Sequence, residues 1–216
     1  MIRIVPAPEP GRFATTVREP GLRAIAEMVG EKPTGRKGKP FQKIADQREQ
    51  IPYDKFPPYW REALHDLLTA YSQICAYSCF RIHTVTGAGS VDHMIAKSKA
   101  WDNVYEWSNY RLACARLNAR KNDFEDVLDP FEIQDGWYQL ELVGFQVFAN
   151  PHLDAQLRTS VENTITRLGL NEFCHERAED AEYYWAGDVT LKVLTAESPF
   201  VTKELRRQGR LLLADV

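Results

Sequence analysis

Asp92 and His93 stand side by side in the chain, and Lys97, Asn109, Asn118 and Lys121 follow them within a short span. A histidine whose pKa lies near neutrality can take a proton from water. A carboxylate beside it offers a hard oxygen ligand suited to magnesium or manganese, and an amide oxygen further along can complete the protein's share of the coordination. A metal so held stabilises charge on a phosphoryl oxygen and on a leaving group. Asp92, His93 and Asn118 carry these chemistries.

Such residues act only if secondary structure brings them together. The run 84–91 is β-prone and broken by Gly87-Ala88-Gly89, which reads as a turn before a strand carrying Asp92 and His93. Residues 109–121 are rich in Arg, Leu and Ala, which favour helix, so Asn118 is expected on a helical turn. Ahead of them, Trp60, Leu64, Leu67, Leu68, Tyr71 and Ile74 form an apolar stripe, with Pro57-Pro58 just before it, predicting a helix over 60–74 that delivers Cys75 to the core.

The ordered set resembles the core of the HNH endonucleases. It runs Cys75-Ala76-Tyr77, Asp92-His93 with Lys97-Ser98, Trp107, Asn109-Tyr110-Arg111-Leu112, Cys114, and Asn118 with Lys121. The resemblance implies a ββα-metal core that hydrolyses DNA phosphodiester bonds with one divalent ion, Mg2+ or Mn2+. In it His93 is the general base, Asp92 and Asn118 are metal ligands, Asn109 belongs to the catalytic set by fixing the loop that orients the histidine, and Lys97 and Lys121 lie near phosphate.

Looser likeness extends to Met1-Ile2-Arg3-Ile4 with Pro8-Glu9-Pro10, to 17–21, to 60–64 and to 164–171 leading to Arg177. It is similar to one branch, the nuclease subunits of bacterial anti-phage systems of the Septu type and of some retrons. That branch implies a companion ATPase and a hetero-oligomer with it. The alternative is a catalytically inactive HNH-like subunit that binds nucleic acid or serves as a scaffold for the ATPase.

Related HNH proteins often hold a structural zinc with two Cys-x-x-Cys pairs. Here the first pair reads Cys75-Ala76-Tyr77-Ser78, with Cys79 one position late, and the second reads Cys114-Ala115-Arg116-Leu117. Cys75, Cys79 and Cys114 are one ligand short, and His83 gives no independent support for a fourth. The expectation is no structural zinc, with Leu117 and the cysteines packed as apolar residues.

Composition sets wider bounds. With 44% hydrophobic and 26% charged residues, the 216-residue chain is of soluble globular type. It lacks an apolar run of about 18 residues, so no membrane span is expected, and Pro6, Pro8 and Pro10 break any signal-like segment. Four cysteines make no disulfide framework, which points to the cytoplasm.

The net charge of −3 is unevenly spread. Residues 1–60 hold 11 Lys and Arg against 7 Asp and Glu, residues 61–123 hold 8 against 6, and residues 124–216 hold 8 against 17. A basic front suits phosphate, and an acidic back suits a protein partner or solvent. The basic excess gathers at Lys32, Arg36, Lys37, Lys39, Lys43 and Arg48 among Pro33, Gly35, Gly38 and Pro40. That segment reads as a surface loop, either along a nucleic-acid backbone through Arg36, Lys37 and Lys39 or as a solvated linker.

The fold class expected is α+β, an HNH core in a mostly helical single domain with extensions at both ends. Residues 1–59 form the N-terminal extension, 60–128 the core with its preceding helix, and 129–216 an acidic, mostly helical region. Helices are expected over 21–29, over 152–168 and 171–185 joined at Gly169, and after Ser198-Pro199, with one hairpin or two short strands over 137–148 around Gly144. His175 with Glu176, Glu179 and Asp180 reads as a solvated acidic face, and Tyr183-Tyr184-Trp185 as split between core and surface or partner contact.

Overall fold

Val91, Asp92 and His93 are all buried, so the strand that carries them is covered on both faces rather than alternating in and out. This strand, β1 (Gly89–His93), pairs antiparallel with β2 (Tyr110–Cys114), in a register that sets Gly89 opposite Cys114 and His93 opposite Tyr110. Helix α3 (Ala115–Lys121) begins directly after β2 and packs back on the hairpin through the fully buried Leu117. The computed structural model describes residues 1–33 and 38–216.

The remaining elements are helical, apart from a second small antiparallel pair. Helix α1 (Glu19–Met28) follows a π-helical turn at Ala14–Arg18, and α2 (Leu64–Ala70) follows a 3-10 turn at Tyr59–Ala63. After α3 come the pair β3 (Tyr138–Leu140) and β4 (Val147–Ala149), then α4 (Ala155–Leu168), α5 (Cys174–Ala186), α6 (Leu191–Glu197) and α7 (Pro199–Arg207). The chain is thus of α+β type. Among the described residues, no helix is long and apolar enough to cross a membrane.

Local chemistry explains several boundaries. Asp154 caps α4 by accepting from the Leu157 amide at 2.9 Å, and Gly169 closes it with φ +61, a left-handed conformation that suits glycine. Two expectations change. Residues 110–114 form β2 rather than helix, because Tyr110 to Ala113 are buried in the β1 ladder and pairing overrides helix propensity. The stripe helix ends at Ala70, since Ser72 and Gln73 turn the chain with φ +51 and +65 before Ile74 bridges to Arg81. Helix α6, capped by Thr190, was not foreseen.

One buried apolar cluster runs through all three sequence regions, from Phe13 and Ile25 through Leu67, Leu112 and Leu117 to Leu168, Tyr184 and Leu205. Polar ties follow the same route. The Trp107 indole donates to the Ala7 carbonyl at 2.9 Å, Tyr105 donates to the Pro57 carbonyl at 2.8 Å, and Arg81 pairs with Glu197 at 2.8 Å.

At Gly21 of α1 a Cβ would stand 2.3 Å from the ring of the buried Tyr105. Gly21→Ala should therefore lower stability by roughly 1–3 kcal/mol through overpacking, although alanine is the better helix former. A denaturant melt would read this as an earlier midpoint at unchanged slope. An unchanged midpoint would mean that the ring has room to yield.

Candidate active site

His93 closes β1 with its ring held edge-on between Trp60 and Tyr110, each centroid 5.1 Å away. Its Nε2 lies 3.0 Å from the Val104 carbonyl oxygen, which also accepts from the Tyr110 hydroxyl at 2.8 Å. A carbonyl oxygen only accepts, so Nε2 carries the proton and Nδ1 of the neutral ring holds the lone pair. Nδ1 makes no hydrogen bond among the described residues, yet it is not one of the sealed, unpartnered atoms. It therefore remains open to solvent.

Burial holds the His93 pKa down to about 3 against its ordinary 6.5, opposed by the bond to Val104 and reinforced by the charges of Lys97 and Lys121. The imidazole is thus a neutral base throughout the neutral range. Between these two pH values the unfolded chain binds the proton and the folded one does not, so His93 makes stability rise with pH in that window and fall as pH drops through it. The steepest slope from one such group is about 1.4 kcal/mol per pH unit. Urea melts of wild type and His93→Phe across pH 4–7 should differ by this dependence; parallel curves would refute it.

Asp92 lies on the opposite side of the strand, 2% exposed. One carboxylate oxygen accepts from the Tyr77 hydroxyl at 2.5 Å, and the other meets the Lys121 ammonium at 3.3 Å. Burial pushes its carboxyl above the ordinary value, against the pull of Lys121, Tyr77 and Arg111. Among the described residues, two of its roughly four lone-pair sites stay uncommitted.

Lys121 is not at phosphate, as the sequence had suggested. Its side chain is completely buried, donating to the His93 carbonyl at 2.7 Å as well as to Asp92, so it serves as an internal counter-ion.

Asn118, on α3, donates from Nδ2 to Ser90 Oγ at 3.0 Å and to the Val91 carbonyl at 3.3 Å. These bonds fix the amide so that Oδ1 is its unused acceptor among the described residues. Asp92, His93 and Asn118 line one cavity of about 500 Å³, together with Trp60, Arg61, Ser90, Lys97 and Asn122. The donor set fits a hard divalent ion, with a carboxylate and an amide oxygen on adjacent elements. No three His, Cys, Asp or Glu side chains converge as a ligand group among the described residues; the amide of Asn118 lies outside that chemistry.

Asn109 does not line the cavity. It is a loop fastener: its Oδ1 accepts from the Ile95 amide at 2.7 Å, and Nδ2 donates to the carbonyls of Ile95 at 3.0 Å and Asn103 at 2.9 Å. The segment it closes contains Lys97 and the Val104 carbonyl that orients His93. Lys97 lies at the cavity, its ammonium 4.2 Å from the Trp60 ring centroid. Lys39 is exposed and does not line the cavity, while Arg36 and Lys37 lie outside the described residues.

The degenerate cysteine positions also lie in order. Cys75 is buried and accepts from the Cys114 amide at 3.3 Å; Cys79 is buried, Cys114 half-buried, and Leu117 fully buried. The Ser78 hydroxyl accepts from the Phe80 amide at 3.3 Å.

Sequence reasoning missed Tyr77 as a partner of Asp92, Trp60 as the wall of the histidine, and the Val104 carbonyl. Tyr77 stands inside the cysteine segment, which is the one local hint; Trp60 read only as part of an apolar stripe. No known family model matches the chain, and no curated protein matches it.

Proposed function

We propose that the protein is a metal-dependent HNH endonuclease that hydrolyses DNA phosphodiester bonds. The observation that carries this reading is the fixed tautomer of His93, whose basic Nδ1 belongs to the same cavity as Asp92 and Asn118. A divalent ion, Mg2+ or Mn2+, held by the Asp92 carboxylate and Asn118 Oδ1, would supply charge stabilisation at the phosphoryl oxygen and the departing alkoxide.

His93 Nδ1 takes one proton from a water molecule, and the water oxygen attacks phosphorus while one bridging P–O bond breaks. The Val104 carbonyl stabilises the imidazolium that forms, because it already accepts from Nε2. Asn109 keeps the loop, and hence that carbonyl, in register. Negative charge on the bound phosphodiester raises the basicity of His93 above its value in the free protein.

The resemblance in sequence supports the further assignment as the effector nuclease of a bacterial anti-phage system, working with a companion ATPase in a hetero-oligomer. A cytoplasmic location suits its four free cysteines. One observation favours the inactive alternative, a nucleic-acid-binding or scaffolding subunit: Asp92 already has a cation in Lys121. The two readings separate on plasmid incubated with Mg2+ or Mn2+, with and without the product of the neighbouring gene. Nicking by wild type and not by His93→Ala supports the nuclease; no nicking under any pairing supports the inactive subunit.

A further inference from the structure

We infer that Arg61 and Lys97 form a second phosphate subsite, which holds the nucleic-acid strand beside the scissile position. This rests on the nuclease reading for the identity of the ligand, but not for the existence of the site. Both side chains line the cavity of His93. Lys97 sits 4.2 Å over the Trp60 ring, and that ring stands 5.1 Å from the imidazole, so the ammonium and the imidazole pack against the same indole. Arg61 is the next residue along the chain and is exposed.

The charges around the two explain why they need an anion. Other cations near the site already have carboxylates: Lys121 with Asp92, Lys99 with Glu125, Arg111 with Asp129, and Arg120 with Glu172. Among the described residues, neither Arg61 nor Lys97 has a carboxylate within 4.0 Å, and Asp123, which also lines the cavity, pairs with neither. The two cations also feel each other: Lys97 loses proton affinity first to burial and then to the charge of Arg61.

Two like charges side by side, one of them half-buried, raise the energy of the free protein. An anion between them removes that cost. The guanidinium suits bidentate contact with phosphate, and the ammonium acts as a point charge held in place by the indole. The ligand is therefore the phosphodiester next to the one presented to His93, and recognition is of backbone rather than base sequence.

The test is binding of a fluorescein-labelled DNA duplex in EDTA, followed by anisotropy over a range of salt, for wild type, Arg61→Ala, Arg61→Lys and Lys97→Gln. Arg61→Ala should bind more weakly on every sequence, with the slope of log affinity against log salt shallower by about 1. Lys97→Gln should do the same, and Arg61→Lys should recover most of the slope. Wild-type affinity and slope in Arg61→Ala and Lys97→Gln would overturn the subsite. Binding with the expected slopes but without cleavage in Mg2+ or Mn2+, alone or with the product of the neighbouring gene, would leave the subsite standing and remove the nuclease reading. No binding by wild type at any salt would overturn the subsite and leave the nuclease reading to the nicking test.

Discussion

Under the proposed nuclease function, replacing His93 with alanine is expected to slow DNA cleavage by roughly 10²–10⁴-fold, the usual contribution of a positioned general base. The loss should fall on kcat, because the imidazole is 7% exposed and offers little surface for binding DNA. Single-turnover cleavage of a labelled duplex, with binding measured separately, would check both parts. His93→Gln is the sharper variant. Its amide can still donate to the Val104 carbonyl but has no basic nitrogen, so it should keep the fold and lose the rate. Cleavage by either variant at the wild-type rate would sink the assignment.

Lys121→Met should cost about 3–5 kcal/mol of stability, because it leaves the Asp92 carboxylate buried without its cation. The cost depends on pH in a stated direction. Burial already raises the Asp92 carboxyl, and without Lys121 it rises further, so at low pH Asp92 takes a proton and sheds the unpaired charge. The variant should therefore lose more stability at pH 8 than at pH 4. Adding Asp92→Asn to Lys121→Met should return much of the loss, since the amide carries no charge, and the double-mutant cycle would measure the coupling. A small loss, equal at both pH values, would mean that the pair is already solvated.

These two residues also show what a sequence can and cannot convey. The adjacency of Asp92 and His93 and the later Asn118 were legible, because a strand, a returning strand and a following helix need only local order to meet. The partition of the lysines was not. Lys121 lies in the last turn of α3, where basic side chains ordinarily face solvent and the helix dipole. It is buried because Asp92 and the His93 carbonyl stand beside it, a fact of tertiary packing. Asn109 was read as the residue that fixes the loop, but its three bonds within 95–109 are visible only once the loop has closed. The α3 boundary failed for a similar reason, since Arg, Leu and Ala in 110–114 favour helix until β1 pairs with them.

The core shared by all three regions has a thermodynamic corollary. The carbonyl of Val104, the ring of Tyr110 and the Asp92–Lys121 pair are buried among side chains from 1–59 and 60–128, and that packing continues into 129–216. Exposing them requires most of the molecule to open, so the free energy of local opening at His93 approaches that of global unfolding. A cavity made far away, at Leu205 for instance, is then felt at the hairpin as a smaller fraction of folded molecules. The chemistry of each folded molecule stays the same; only their number changes.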